Sequence, residues 1–460
     1  MLGFHDVLIV GGGMAGLTAA LAAIETGSTV VVIEPDSMPG GSARWSSGRI
    51  WSLGGYDELR QAIPLGDPDL QRVHAATLPA ATDWLSSHVA LVPQRAGKAG
   101  RGVEMTLGRP GDRTEYFAAL AAIIVRRGGQ ELLGHRVWSV HQKDGALAAD
   151  IQSTADSARQ TILARALVIA TGGFQGDREA LKAHLGPNAA HLMIRSNPHS
   201  KGDGFRSALA MDGSVSGGMD GFYGKTMPLH AEILSPHEYK AHTLDVARAS
   251  IAINRAGQRF VDETSGHSGE GLANAAIHQP DGAYFIICDG SQASQVPTEK
   301  FDALAQRAQV QPSVIQLGAT SIEDLAFQME RHWGIPMSTF VETVNSVNQA
   351  VSTGNADRLV PPRKVVPTAL CNPPFIAIAC QAAITIPFGG LQINEHAELL
   401  AGEGRRVPGV YICGADAGGI YNQCYGGGLA WALTSGLIAG RNAAAHAASQ
   451  VLRARKQAVH

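Results

Sequence analysis

Residues 6–34, DVLIVGGGMAGLTAALAAIETGSTVVVIE, constrain the fold more than any other stretch of the chain. Val7 to Val10 form a short unbroken apolar run, the pattern of a parallel strand buried on both faces. The run stops at glycine. Gly11, Gly13 and Gly16 then supply G-x-G-x-x-G: the first permits a tight turn, the second removes the Cβ that would hit a pyrophosphate, and the third lets helix and strand pack closely. Leu17, Leu21 and Ile24 recur at helical spacing among alanines, and Gly27 is placed to end that helix. Val30 to Ile33 make a second strand, with Glu34 at its end, where a carboxylate can accept hydrogen bonds from a ribose diol. Strand, helix and acid accompany the glycines, so the unit is expected to bind a dinucleotide. The acid disfavours a 2′-phosphate, which puts NAD or FAD ahead of NADP.

At 460 residues the chain exceeds what one hydrophobic core usually supports, so two domains are expected. Its 45% apolar and 17% charged residues describe a globular protein rather than a disordered one. A formal charge of −3, with no long run of one sign, argues against nucleic acid or an anionic membrane as partner. The five cysteines contain no CxxC pair, and the histidines show no H-x-x-x-H or HExxH spacing, so no metal site is expected. No run of about 18 apolar residues predicts a membrane span, and Met1 to His5 are too few for a signal peptide. The expectation is a cytoplasmic protein.

Further stretches repeat the strand-to-glycine theme. ALVIATGGF (Ala166 to Phe174) and VPGVYICGADAGG (Val407 to Gly419) each run from apolar residues into glycine, the second ending near Asp416. HRVWSV and ALAADIQS alternate around Asp144-Gly145 like a small meander. GGGLAWALTSGLIAG (Gly426 to Gly440) predicts a helix that begins in glycines.

Glu34, GGSARWSSG (from Gly40), ATGGF, GDG (Gly202 to Gly204), NRAGQRFVDE (Asn254 to Glu263), PFGGLQI (Pro387 to Ile393) and PGVYICGAD occur in an order that resembles the fumarate reductase and 3-ketosteroid dehydrogenase superfamily of FAD enzymes. The resemblance spans nearly the whole chain. It implies an α/β fold with a Rossmann-like, glutathione-reductase-type FAD-binding domain, split at 1–215 and 362–460 by an inserted α+β cap at 216–361. It also implies that FAD is held by Gly11, Gly13, Met14, Ala15 and Gly16, by Glu34 and Pro35, and by Gly40, Gly41, Ser42, Ser46, Ser47 and Gly48 of the loop that follows. Val137, then Ala170, Thr171 and Gly172, then Asp203, Gly389, Gly390, Gly414 and Asp416 complete the expected set, with Gly428, Leu429 and Ala430 opening the last helix. Asp416 stands where the family's acid meets the ribityl chain. The first ribityl loop, with Ser42, Ala43 and Arg44, lacks the histidine used for covalent attachment, so non-covalent FAD is expected.

The resemblance also bears on substrate. TSGHSGEGLANAAI after RFVDE lacks the arginine that fumarate reductases carry; TIPFGG lacks a histidine before its glycines; NQCYGGG lacks an Asn-Arg; and GFYGKTMP replaces a His-Pro-Thr. Those are the groups that bind and protonate a dicarboxylate. SSGRIW and CYGGG look instead like the 3-ketosteroid Δ1-dehydrogenase branch, with Arg49 in place of a glycine. The implied activity is an FAD-dependent dehydrogenase that introduces a C=C bond α,β to a carbonyl in a cyclic ketone or ketosteroid-like substrate, by α-proton abstraction and β-hydride transfer to flavin N5. Tyr425 leads as the proton-transfer or carbonyl-activating residue, Gly427 or Gly428 N–H would hold the carbonyl, and Tyr223 and Tyr421 follow. The alternatives are an enzyme like fumarate reductase or tricarballylate dehydrogenase acting on a small carboxylic acid, and a flavin electron carrier. The expected partners are a small-molecule substrate and an electron acceptor of unassigned identity. His199 and Lys201 are expected in turn or surface roles, His267 and Glu270 are further site candidates, and Arg259 with Glu263 is expected to be an exposed charge pair.

Overall fold

The computed structural model describes residues 2–93, 104–107, 113–266, 269–296 and 298–457. His267 lies outside them. The chain forms two compact units: Met1–Ala180, Ser196–Gly221 and Ile386–His460 in the first, Leu181–Arg195 and Phe222–Thr385 in the second.

The first unit is built on a mixed sheet that has eight strands among the described residues. Its centre is Leu2–Val10, parallel on one side to Val30–Glu34 and on the other to Arg159–Ile169. Val7, Leu8 and Ile9 are fully buried, as a strand covered on both faces requires. Gln130–Leu133 extends the sheet beyond Val30–Glu34, and Arg406–Ile412 extends it beyond Arg159–Ile169. His135–Lys143 and Ala146–Ser153 form the expected antiparallel hairpin, which joins the sheet through Arg159–Ile169.

Met14–Ile24 is the first helix and Gly428–Gln457 the last, and they pack through small residues. A Cβ on Gly436 would fall 2.5 Å from Ala15 O, and one on Gly440 would fall 2.2 Å from Ala19 O. Glycine at these two positions, four residues apart on one helix face, allows the backbones to approach that closely.

The second unit holds a six-stranded sheet among the described residues, organised by the long strand Phe375–Pro387. Tyr284–Cys288 and Gln316–Ala319 pair with its first half, and Met193–Ile194 pairs with Ala383 and Ile384. Helices Ile322–Trp333 and Met337–Thr353 contribute Leu325, Met329, Phe340, Val344 and Val347 to a core shared with these strands. The unit differs from the 216–361 insertion expected because strand pairing with Phe375–Pro387 draws in Leu181–Arg195 and the residues up to Thr385.

The charge pair expected to be exposed is buried. The Arg259 and Glu263 side chains are 2% and 0% exposed, and Arg363, at 1%, joins them. Arg259 grips both oxygens of Glu263 at 2.9 and 2.7 Å, while Ala252 N–H donates to Oε1 and Arg363 Nη1 reaches Oε2 at 3.2 Å. The remaining guanidinium donors are spent on the carbonyls of Pro361, Val261, Ser250 and Arg248. Burial is tolerated because nearly every polar atom is met.

Candidate FAD site

The glycine turn of the first unit is shaped by what its neighbours leave room for. A Cβ on Gly11 would come within 2.1 Å of Ala170 O, and one on Gly16 within 1.8 Å of Gly11 O. At Gly13 the nearest atom would be Gly40 O, 3.9 Å away. The second glycine therefore faces open space at the N-terminus of Met14–Ile24, where N–H groups without intrahelical partners can bind a pyrophosphate. Gly11 and Gly16 are sealed against the sheet and helix.

Glu34 is 3% exposed and accepts N–H groups from Gly12 at 2.7 Å and Asp36 at 3.0 Å. Burial raises its pKa to about 7, and those two donors work against the rise. Arg44 pairs with Asp36 beside it. The loop after Pro35 folds back on the turn: Gly40 N–H donates to Gly12 O at 2.7 Å, and the Gly41 Cβ position is 3.4 Å from Gly13 Cα. Ser42 Oγ accepts Asn197 N–H, Ser46 Oγ accepts Gly48 N–H, and Ser47 O accepts Arg113 Nη2. Asn197, buried and with its Nδ2 3.8 Å from the Gly41 Cβ position, belongs to this cradle and is absent from the expected set. Its only sequence signal is an asparagine in NPHSKGDG just ahead of the GDG turn.

Two expected cofactor acids are engaged within the protein. Asp416, 1% exposed, accepts Thr171 Oγ1 and the N–H groups of Gly172 and Gly173, so its carboxylate clamps the ATGG turn. Burial raises its pKa, against those three donors. Asp203 is gripped by Arg136 at 2.5 and 2.6 Å and by Arg206 at 2.6 Å. Asp416 thus fixes the backbone of the ATGG turn, a role the ribityl expectation did not include, while Asp203 is held between two guanidinium groups. Gly390 N–H donates to Ser216 Oγ, a Cβ on Gly389 would meet Met219, and Gly414 N–H donates to Ser435 Oγ. Ala170 N–H bonds Val10 O, and Val137 is buried in the hairpin.

At the other end of the first unit's site, Tyr425 caps the last helix. Its hydroxyl oxygen accepts Gly428 N–H at 2.6 Å. Gly428 N–H is thus used by Tyr425 and not open to hold a carbonyl; Gly427 N–H makes no hydrogen bond among the described residues. Gly427, at φ +112°, lies so close to Trp51 that a Cβ would fall 1.9 Å from Trp51 O. Trp51 and Tyr421 flank the Tyr425 ring at 5.8 and 5.4 Å between centroids. Tyr421 is 2% exposed with a hydroxyl that has no hydrogen-bond partner among the described residues, and burial pushes its pKa well up. Leu429 and Ala430 follow in the helix.

Tyr223 stands in the second unit, on strand Phe222–Pro228. Burial raises its pKa, opposed by the charge of Arg195. Lys225, two residues along and so on the same strand face, has its pKa lowered by burial. Glu270 is fully buried nearby, within electrostatic reach of both. Arg195 and Lys225 are cations that the sequence reading missed; the signal was a lysine inside an otherwise apolar strand, FYGKTMP. His199 and Lys201 are exposed.

The glycine cradle, the buried acid after the second strand and the glycine-led last helix fit FAD. Residues 6–429 match the family described as FAD binding domain. The chain is 25% identical to a fumarate reductase (cytochrome) of Shewanella frigidimarina, over 95% of this chain and 77% of that one. It is 24% identical to a vinyl phenol reductase of Lactiplantibacillus plantarum, over 97% of each. Its fold is similar to that of 3-ketosteroid delta1-dehydrogenase from Sterolibacterium denitrificans, with a TM-score of 0.74, 19% identity and coverage of 96% of this chain and 99% of that one. Built on this glycine turn and matched across nearly its whole length, the chain belongs to the FAD binding domain family and is an FAD-dependent oxidoreductase.

Proposed function

We propose that this FAD-dependent oxidoreductase dehydrogenates a CH–CH bond next to a carbonyl in a cyclic ketone, with Tyr425 as the proton-transfer or carbonyl-activating residue. The observation that carries the reading is the Tyr425 hydroxyl, anchored on Gly428 N–H at the start of the last helix and flanked by Trp51 and Tyr421. Loss of an α-proton builds negative charge on the carbonyl oxygen, and a fixed donor beside that oxygen lowers the barrier. A hydroxyl whose oxygen already accepts an N–H keeps its proton directed elsewhere, which suits donation to a carbonyl. Gly427 N–H is the second donor in this reading. FAD, when bound, supplies the two-electron acceptor for the reaction. Gly11, Gly13, Gly16, Glu34, the loop from Gly40 to Gly48 and Asn197 hold it, without a covalent bond, since Ser42, Ala43 and Arg44 offer no histidine at the ribityl loop. The electrons then pass to a separate acceptor. A reducing compartment, the cytoplasm, suits a chain whose cysteines form no disulfide among the described residues.

Anaerobic mixing with cyclic ketones, 3-ketosteroids and dicarboxylates tests the reading through the flavin absorbance. Bleaching by cyclic ketones is expected; bleaching by dicarboxylates alone reverses it. A second reading, an enzyme for a small carboxylic acid, draws support from Arg195 and Lys225 in the second unit, cations of the kind an acid needs.

A further inference from the structure

Helix Pro68–Ser86, capped by Asp67, brackets the stretch that carries Tyr421, Tyr425 and Gly427. Its buried residues recur at helical spacing, among them Gln71, His74, Leu78, Ala81 and Leu85, so Gln71 and His74 lie on the face turned to the core of the first unit. Ahead of the stretch, Asp67 N–H donates to Gly419 O at 2.8 Å and Gln71 Nε2 to Ile420 O at 3.1 Å. Beyond it, His74 Nδ1 lies 2.8 Å from Thr434 Oγ1, in the second turn of helix Gly428–Gln457. One helix therefore grips the chain on both sides of the tyrosines.

The Thr434 hydroxyl has one proton, and Ala430 O at 3.1 Å and Trp431 O at 3.3 Å stand ready to accept it. With that proton on a carbonyl, Nδ1 carries the hydrogen of the His74–Thr434 bond and Nε2 keeps a lone pair. Nε2 is buried with no hydrogen-bond partner among the described residues. Protonating it would place an N–H and a charge where nothing takes either, and burial pulls the His74 pKa down to about 4. His74 is thus neutral at pH 7, its one N–H directed at Thr434. The ring also packs edge-on against Trp431, with 5.8 Å between centroids. Trp431 N–H bonds Gly427 O at 3.1 Å, and its indole Nε1 donates to Ala417 O at 3.2 Å. Loss of the His74 contacts would loosen Thr434 and Trp431 together, and with them the turn that holds Gly427.

We propose that His74 is a positioning residue: acting through Thr434 and Trp431, it fixes where the front of the last helix presents Tyr425 and Gly427 to bound FAD. The proposal deepens the reading of Tyr425 above and rests on it for the use made of that position.

Asparagine places an amide N–H where His74 carries Nδ1–H, whereas glutamine places its amide nearer Nε2, so the two substitutions separate the bond from the bulk. The variants are compared with the parent by their Kd for FAD and by the midpoint potential of the bound flavin. A neutral hydrogen bond is worth about three- to tenfold in such an affinity, so His74→Gln and Thr434→Val should each weaken FAD by about that factor, while His74→Asn and Thr434→Ser stay within about twofold of the parent. Helix-start N–H groups carry partial positive charge and favour the negative charge a flavin gains on reduction, so His74→Gln and Thr434→Val should also lower the potential. Combining the two should weaken FAD no more than either alone, since both remove one bond. Parental affinity and potential in folded His74→Gln or Thr434→Val, strictly additive losses in the pair, or His74→Asn as weak as His74→Gln overturns the proposal. Thr434→Val, close to threonine in shape, decides the matter if the His74 variants do not fold. The Tyr425 reading fails separately, when Tyr425→Phe is reduced by substrate at the parental rate while these affinities still shift.

Discussion

The Tyr425 hydroxyl oxygen accepts the backbone N–H of Gly428 at 2.6 Å, joining the side chain nominated for proton transfer to the first turn of the last helix. On the proposed function one phenol has two tasks, an N-terminal cap and a chemical group, and substitution separates them. Tyr425→Phe removes both. Loss of a cap costs about 0.5–2 kcal/mol, whereas loss of a general acid or base costs about 10²–10⁴ in rate. The expected result is an FAD-loaded variant that melts within a few degrees of the parent and whose flavin is reduced by substrate at least about a hundredfold more slowly. Stopped-flow reduction beside a melting curve measures both, and near-parental turnover with retained FAD removes Tyr425 from the chemistry.

Arg259 and Glu263 offer a test of stability alone. Glu263 is surrounded by Arg259, Arg363 and Ala252 N–H with no exposure to water, so Glu263→Ala leaves two buried guanidinium groups without their anion. Removing one member of a buried, hydrogen-bonded pair costs about 3–5 kcal/mol, against about 0–1 for an exposed pair. Urea unfolding of the parent and variant distinguishes the two figures. A loss below about 1 kcal/mol would mean that the triad relaxes into contact with water.

The contrast between these residues shows what the sequence could carry. The G-x-G-x-x-G turn, Glu34 and the glycine-led last helix are readable because each answers a local demand: a backbone that must pass within about 2 Å of where a Cβ would lie tolerates glycine alone. The pairing of Arg259 with Glu263 is likewise local, four residues apart. Its burial is not, because Arg363 and the carbonyl of Pro361 arrive from about a hundred residues away. Arg195 and Lys225 are further out of reach of pattern reading, since they meet through separate pairings of Met193–Ile194 and Phe222–Pro228 with one later strand. Asn197 joins the candidate FAD cradle by donating its N–H to the Ser42 hydroxyl, 155 residues earlier. Periodicity records which face of an element is buried, and it holds no information about which distant element covers that face.

Gly440 inverts an ordinary rule. Glycine inside a helix is usually worse than alanine by about 1 kcal/mol, so Gly→Ala normally stabilises. Here the added methyl would lie 2.2 Å from Ala19 O, a backbone atom of the first helix that cannot rotate away. Gly440→Ala is therefore expected to destabilise by about 1–3 kcal/mol, the usual cost of overpacking, and to lower FAD occupancy if the turn before the first helix holds the pyrophosphate as proposed. Chemical denaturation together with the ratio of flavin to protein absorbance gives both quantities. A stabilised variant would show that the two helices separate at this point without penalty.

Glu34 is expected to couple FAD binding to pH. Burial lifts its pKa from the ordinary 4.5 to about 7, with the Asp36 and Gly12 N–H groups opposing. The sign for the protein without FAD follows from proton binding: between pH 4.5 and 7 the folded chain holds a proton that the unfolded chain has released. The stabilisation is complete below about pH 4.5 and is lost as pH rises through 7, at most about 3 kcal/mol. FAD binding is expected to have the opposite slope, because only an ionised Glu34 carboxylate would accept hydrogen bonds from both ribose hydroxyls. From pH 6 to pH 8 the ionised fraction rises about tenfold, so the Kd for FAD, followed by flavin fluorescence quenching on the apoprotein, should tighten by about that factor. Glu34→Gln should bind FAD more weakly and with no slope across the same range. A flat parental profile would mean that the ribose does not rest on Glu34, and the strand-end acid would then serve only to fix Gly12 and Asp36.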